Sequence, residues 1–358
     1  MNIAVFGGSG FIFRQVMRYG IERNHNMVCI DLNEPKFELP GMIYVRANVA
    51  TEKGTEYAFS TAEEMLKEKG LEGKIDAVAN GIAILSYTKS VDKLYVPNVI
   101  TARNIALASM DRNAFLVHMS GVAVQGVSNP TPLLEEYPLD PIEPYGITKA
   151  LSELEVYSAV KSGLQAIILR ANGVVGPECL GTMILNMFDT VKKQPIVPLP
   201  STLNSYVNTI DIGKSIIFAI ENREVFTGPT WEFHDRIYNI CDKQPLTDAE
   251  VFRHLMKRIP SDFPFGLRLK VKAPGKYGLL ATGLLTEIIS KITGGQPALP
   301  YNLAKLVYAS HCQSREKFEM VFEKNGFRME FNSTEDSLDH VVKWLYYNYW
   351  KESPATDF

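Results

Sequence analysis

A short apolar run that ends in glycines and opens directly into a helical pattern constrains this chain more than any other feature. Ile3-Ala4-Val5-Phe6 leads into Gly7-Gly8-Ser9-Gly10-Phe11-Ile12-Phe13, and a helical stretch follows from Arg14 to Arg23. Glycines let a backbone approach an anion closely, and the free N–H groups and dipole of a helix start favour negative charge. The pattern fits the pyrophosphate of a dinucleotide; with no ligand it would be a tight strand-to-helix turn and nothing more. Asp31 ends the next apolar run, about twenty residues beyond the loop, where a carboxylate accepts hydrogen bonds from an adenosine ribose and repels a 2′-phosphate. No arginine follows it closely in sequence and the nearest basic residue is Lys36. NAD is therefore expected over NADP.

The loop also implies a fold. Apolar runs at Ile3–Phe6, Met27–Asp31, Met42–Arg46, Ala77–Ala79, Phe115–Ser120 and Ala166–Arg170 alternate with helical patterns such as Val91–Ala108 and Lys149–Lys161. Runs without polar alternation fit strands buried on both faces of a parallel sheet. The expected fold class is α/β: a doubly wound parallel (Rossmann) sheet with a smaller C-terminal substrate lobe. The dinucleotide domain is expected over 1–175, with chain returns near 205–221 and 238–241, a lobe mainly over 176–350 and a loose tail over 351–358. Prolines at Pro195, Pro198 and Pro200, then at Pro260, Pro264 and Pro274, mark the irregular second half.

Composition narrows the class. A net charge of -3 gives no footprint for general nucleic-acid binding, and none is expected. No stretch reaches the ~20 apolar residues of a membrane span. Met1-Asn2 runs straight into the first strand without a leader pattern, and Cys29, Cys179, Cys241 and Cys312 show no CxxC spacing. Reduced thiols and a cytoplasmic setting are expected. The histidines show no HxxxH spacing and no acid partner can be named for any of them, so no metal is expected.

Tyr145-Gly146-Ile147-Thr148-Lys149 puts a phenol and an ammonium one turn apart on a helix starting near Pro144. A phenol near pKa 10 is a poor base at neutral pH, and a nearby cation stabilises its phenolate. Tyr145 could then pass the proton of an alcohol or carbonyl while hydride moves to or from a nicotinamide. The motif alone is common by chance; its place after a strand ending in Ser120 strengthens it.

Taken in order, these motifs resemble the extended short-chain dehydrogenase/reductase superfamily, which includes nucleotide-sugar epimerases, dehydratases and 3-beta-hydroxysteroid dehydrogenases. The likeness covers about the first 245 residues. It rests on Gly7 to Ile12, Asp31, Asp76-Ala77-Val78, Asn98, Met119-Ser120-Gly121-Val122-Ala123-Val124, Tyr145/Lys149, Leu169 to Pro177, Val207 to Asp211 and Tyr238-Asn239-Ile240. The resemblance implies that Gly7, Ser9, Gly10, Phe11 and Ile12 hold the pyrophosphate, that Asp31 and Leu32 meet the ribose, and that Asn48 and Val49 flank the adenine. It further implies that Asn80, Gly81 and Ile82 line the cofactor and that Ala171, Asn172 and Val174 lie near the nicotinamide. Asn98 matches the family asparagine beneath the active site, and Lys149 would also hold the nicotinamide ribose.

Three departures stand out. Phe13 replaces the third small residue of the loop, which would set the first helix further from its strand. Asn80 stands where many relatives carry histidine. Gly121 aligns where the hydroxyl partner of Tyr145 often falls, so Ser120, a water or another hydroxyl takes that role. The catalytic set expected is Tyr145, Lys149 and Ser120.

For substrate, nucleotide-sugar relatives commonly carry an arginine shortly before the Val-x-x-x-Asp segment, whereas Leu199 to Tyr206 contains no basic residue. Ala273–Leu306 loosely resembles the tail of the 3-beta-hydroxysteroid dehydrogenase group. Within Tyr277–Thr293, Leu280, Leu284, Ile288 and Ile292 share a face, and Glu287 and Lys291 share another. That apolar face is expected to pack on the lobe; the alternatives are a lid over a lipophilic substrate and a membrane-surface contact, which is not expected. Basic residues from Arg253 to Lys276, including Arg268, gather just before it. The reading placed first is an NAD(H)-dependent oxidoreductase of a secondary alcohol or ketone on a sterol- or terpenoid-like small molecule. Its substrate pocket would be lined from the 180–200 and 265–300 regions. A nucleotide-sugar epimerase or dehydratase with tightly held NAD is the alternative, and a non-catalytic NAD-binding protein the third. Analogy with the family suggests a homodimer.

Overall fold

The computed structural model describes residues 1–178, 196–198, 202–228, 232–258, 270–272, 275–295, 297–331 and 333–347. Seven parallel strands form its centre: β1 (Asn2–Phe6), β2 (Asn26–Asp31), β3 (Ile43–Arg46), β4 (Ala77–Asn80), β5 (Phe115–Gly121), β6 (Ala166–Ala171) and β7 (Ile237–Ile240). Their order is β7-β6-β5-β4-β1-β2-β3. The chain reverses direction across the sheet between β1 and β4, which places the crevice for a ligand at their C-terminal ends. This is the doubly wound sheet expected, and its last strand, β7, lies at the edge beside β6.

Two apolar layers sandwich the sheet. On one face α1 (Phe13–Glu22) and α5 (Thr209–Glu221) pack over Ile3, Val5, Cys29, Ala77, Val117 and Leu169. On the other, α2 (Glu52–Glu68), α3 (Thr101–Asp111) and α4 (Pro144–Lys161) cover Ala4, Phe6, Val28, Val78, Leu116 and Ile168. Consecutive strand residues alternate between the two layers, and all five residues of β1 are buried. That explains the unbroken apolar runs in the sequence.

Phe13 is accommodated by a glycine just past the neighbouring strand. Its ring is buried, and a methyl group added at Gly81, at the end of β4, would lie 2.3 Å from that ring. Space for the phenyl group therefore comes from Gly81. Gly81→Ala should destabilise the fold by about 1–3 kcal/mol through overpacking. The Phe13→Ala/Gly81→Ala double variant should lose less than the sum of the singles, because each change removes what the other collides with. Denaturant unfolding of the four proteins reads this; strict additivity would show that the two positions do not share the space.

Beyond α5 the described chain adds α6 (Asp248–Arg258), α7 (Lys276–Thr293), α8 (Tyr301–Val307) and α9 (Thr334–Leu345), with short strand pairs between them. A third apolar cluster joins α6 and α9 through Val251, Leu255, Leu338, Val341 and Leu345. The expected pocket lining at 180–200 lies outside the described residues apart from 196–198. Residues 265–269, Arg268 among them, and the tail at 351–358 also lie outside. No described helix is long and apolar enough to cross a membrane.

Candidate active site

The glycine loop closes against β2 and β4. Gly7 adopts φ +78°, a conformation few L side chains tolerate, and a Cβ there would come within 3.2 Å of the Gly81 backbone. Ile12, at the N-cap of α1, gives no side-chain cap; Arg14 N and Gln15 N donate back to the Gly10 and Ile12 carbonyls, and the N–H groups of Ile12 and Phe13 have no partner among the described residues, which leaves them for an anion. Asp31 is held at the rim of the loop: its carboxylate accepts from Ser9 N at 3.2 Å and Asn33 N at 3.0 Å. A cradle that only glycine fits, an open helix start and an aligned carboxylate suit a dinucleotide. Leu32 beside it is half exposed, as a residue bordering a ribose would be. Sequence spacing missed one neighbour. Arg46 on β3 is the register partner of Asp31.

The remaining expected cofactor residues divide by role. Asn48 is exposed and Val49 buried on the segment after β3. Asn80 is fully buried; its amide accepts from Ile82 N at 3.1 Å and donates to His118 Nδ1 at 3.1 Å. His118 Nε2 then meets Ser152 Oγ at 3.2 Å, and that hydroxyl donates to the Lys149 carbonyl at 2.7 Å. Burial holds His118 well below the usual imidazole range, so the relay is uncharged. Asn80 thus orients the Gly81–Ile82 turn and ties it, through His118 and Ser152, to helix α4. Asn98 is engaged in the same way: Ile84 N donates to it at 2.7 Å, and it donates to Thr148 Oγ1 at 3.0 Å. It lies on a π turn over Val96–Ile100 and positions α4 beneath the site. Ala171 and Val174 flank Asn172, whose amide donates to the His311 carbonyl at 3.1 Å.

Tyr145 and Lys149 occupy the first turns of α4. Pro144 stands at the first helical position and Glu143 is the N-cap, its carboxylate accepting from Tyr145 N at 2.6 Å and Gly146 N at 2.5 Å. A carboxylate followed by proline is a readable helix start, yet the sequence reading overlooked Glu143. Burial pushes this carboxyl up to about 7. Lys149 is buried and donates from Nζ to the Met119 carbonyl of β5 at 2.6 Å. Burial lowers its ammonium to about 8, opposed by the charge of Glu153 one turn on. Burial, reinforced by Tyr87 and Glu143, raises the Tyr145 phenol above its ordinary range. Tyr87 meets the Tyr145 ring edge-on at 6.4 Å, a contact across 58 residues that no local pattern announces.

Ser120 lies on β5 in phase with His118, which faces α4, while Met119 and Gly121 alternate to the other side. Its hydroxyl is buried without a partner among the described residues. An unsatisfied buried hydroxyl costs free energy unless a ligand engages it. The sheet end thus gathers a phenol, an ammonium and an orphan hydroxyl beside a dinucleotide cradle, which is the equipment for moving a proton and a hydride. Beneath them Glu153 and Arg170 form a bidentate ion pair at 2.9 and 2.7 Å with both side chains fully buried.

Three histidines that the sequence left without partners have acids in the fold: His25 meets Glu221 at 2.8 Å, His254 meets Asp339 at 2.6 Å and His234 lies 4.0 Å from Asp235. Cys29, Cys241 and Cys312 are buried and unpaired, whereas Cys179 lies outside the described residues.

A cradle for a dinucleotide joined to a Tyr–Lys pair defines a class of enzyme, and comparison with known families agrees. The model of the NAD dependent epimerase/dehydratase family matches residues 3–241, and the chain belongs to that family. Among curated relatives, the UDP-glucose 4-epimerase of Lactobacillus helveticus is 30% identical over 273 residues, covering 73% of this chain and 75% of that protein. The 2-alkyl-3-oxoalkanoate reductase of Stenotrophomonas maltophilia is 24% identical over 188 residues, covering 49% of this chain and 52% of that protein. Among solved structures, the Bordetella bronchiseptica enzyme WbmH in complex with NAD+ superposes with a TM-score of 0.71 at 15% identity, over 96% of this chain and 98% of that one. A UDP-galactose 4-epimerase gives 0.70 at 17% identity, over 98% of this chain and 100% of that one. At such identities the structures speak for the fold alone.

Proposed function

We propose that the protein is an NAD(H)-dependent epimerase or dehydratase of a nucleotide sugar. The observation that carries this reading is the 30% identity to a UDP-glucose 4-epimerase over three quarters of both chains. It reverses the order expected from the sequence, where an apolar alcohol stood first. Gly7, Gly10 and the start of α1 would hold the pyrophosphate, Asp31 the adenosine ribose and Lys149 the nicotinamide ribose. Bound NAD supplies the hydride acceptor and donor. Tyr145 Oη takes the proton of a sugar hydroxyl as its C–H bond breaks, and returns it when the carbonyl is reduced. The Lys149 ammonium would stabilise the phenolate that takes the proton and that re-forms when the proton is returned, and Ser120 Oγ would orient the reacting hydroxyl. We read residues 176–350 as mainly the substrate-binding part.

One observation favours a second reading, an oxidoreductase of an apolar alcohol or ketone. Leu199 to Tyr206 offers no cation to a diphosphate. Arg170 and Arg315 are committed to Glu153, Glu319 and Glu323, and Lys317 to backbone carbonyls. The reductase from Stenotrophomonas shows that such substrates occur among relatives. Lys192, Lys193 and Arg268 belong to segments outside the described residues. The family match also ends before Ala273–Leu306, so that segment's likeness to 3-beta-hydroxysteroid dehydrogenases stays a matter of pattern.

The test is a binding and turnover screen of UDP-, dTDP- and GDP-sugars against sterol, terpenoid and β-keto acid substrates, with NAD present. Conversion of a nucleotide sugar without net NADH production is the expected result. Stoichiometric NADH formation or consumption with an apolar substrate, and no nucleotide-sugar binding, would promote the second reading.

A further inference from the structure

A line of buried polar groups joins the dinucleotide cradle to Lys149. A Cβ on Gly7 would lie 3.2 Å from both Gly81 C and Ile82 N, so the turn after β4 rests directly on the glycine loop. From that turn the hydrogen bonds run through Asn80, His118 and Ser152 to the Lys149 carbonyl. Asn80, His118, Ser152 and Lys149 are each between 0% and 2% exposed, which keeps the line dry. Its protons have a single arrangement. Ser152 Oγ carries one proton and gives it to the Lys149 carbonyl at 2.7 Å, so from His118 Nε2, 3.2 Å away, it can only accept. Asn80 Oδ1 is taken by Ile82 N, so the amide nitrogen faces His118 Nδ1, which must accept in turn. The imidazole is therefore the neutral Nε2–H tautomer. A second proton, on Nδ1, would point at an amide N–H, and turning the amide over would set its nitrogen against Ile82 N–H. Burial, and after it the Lys149 charge, oppose that second proton as well.

We propose that His118 is a positioning residue for the reaction: in this one tautomer it locks the turn beside the cradle to the helical turn that carries Lys149. The inference rests on the reading above, in which NAD lies on the cradle and Lys149 serves Tyr145. Strand β5 holds the same lysine a second time, because Lys149 Nζ donates at 2.6 Å to the carbonyl of Met119, the residue after His118. One strand thus grips Lys149 at both ends, its carbonyl by way of Ser152 and its ammonium directly. Asn80 also acquires a reason. A residue at that position must accept from Ile82 N and donate to His118 at once, and the two ends of one amide do both. A buried network with every member satisfied is rigid, so loss of the Ser152 end is felt across the ring at the Gly81–Ile82 turn.

Two measurements on the full chain test this. Nitrogen-15 spectra, with the His118 signals assigned through His118→Gln, should show the Nε2–H tautomer and no titration between about pH 6 and 8, where a solvated imidazole changes charge. An imidazolium or the Nδ1–H tautomer in that range would overturn the proposal, whether or not any variant folds. Calorimetry with NAD+ then reads the lock. Ser152→Ala lies on the far side of His118 from the cradle, yet it should weaken NAD+ binding by roughly threefold or more, within the span of coupling carried by buried networks. Asn80→Ala/Ser152→Ala should cost less than the product of the two single losses, since either change breaks the same line. Unchanged NAD+ affinity in Ser152→Ala, or losses that simply multiply, would reduce His118 to a packing residue and leave the dinucleotide site itself standing.

Discussion

Tyr145→Phe is expected to lose turnover by roughly 10²–10⁴-fold, the scale of a lost general acid–base group. The ring, its edge contact with Tyr87 and the Glu143 cap all survive the change, so folding and cofactor affinity should be nearly untouched. The resting phenol holds its proton firmly, since burial and the neighbouring Glu143 charge both oppose the phenolate. In the proposed chemistry Lys149 would supply the opposing charge, and burial lowers its ammonium to about 8. A cation with a lowered pKa is present below that value and lost as pH rises through it. Stabilisation of the phenolate should therefore fade above about pH 8, in native enzyme and in a Tyr145-containing control alike. Steady-state rates on the substrate found by the screen, together with calorimetric cofactor binding, check this. A Phe variant that keeps most of its activity removes Tyr145 from the chemistry.

Glu153→Ala should destabilise the fold by about 3–5 kcal/mol, because it strands the buried Arg170 guanidinium without its partner. Arg170 also donates to the Glu135 carbonyl at 3.3 Å, which cannot replace a carboxylate. Glu153 lies one turn beyond Lys149 on α4, so the same substitution removes a charge that supports the lysine ammonium. Lowered stability should thus come with an alkaline limb moved to lower pH. Denaturant midpoints and pH–rate profiles of the variant measure the two effects separately. A loss under about 1 kcal/mol would mean that the pair is solvated, contrary to its full burial.

The parts of the molecule that local pattern controls were legible in the sequence. Strands buried on both faces announce themselves as apolar runs, and β1 to β6 fall where those runs fall. The glycine loop and the Tyr145–Lys149 spacing are local geometry too. What escaped depends on contacts distant in sequence. Arg46 lies level with Asp31 only because β2 and β3 pair in register, and Tyr87 reaches Tyr145 through a loop. Gly81 gave no sign of serving Phe13 until the two met in space. Helix α7 misled for another reason. Periodicity fixes that a helix has an apolar face, but not which way it turns, and here Gly283 and Thr286 took the inner side. The second half, with its prolines and short pairs, offered little periodicity to read.

Everything proposed for the site rests on the dinucleotide cradle, and one titration addresses it. Calorimetry of the full chain with NAD+ and NADP+ should give one site per chain, with NAD+ bound the more tightly because a 2′-phosphate would meet the Asp31 carboxylate. Arg46 beside it is the competing influence, so Asp31→Ala should narrow or invert the gap, while Arg46→Ala should widen it. Equal or tighter binding of NADP+ by the native chain would contradict the role given to Asp31. Binding of neither dinucleotide would contradict the site itself.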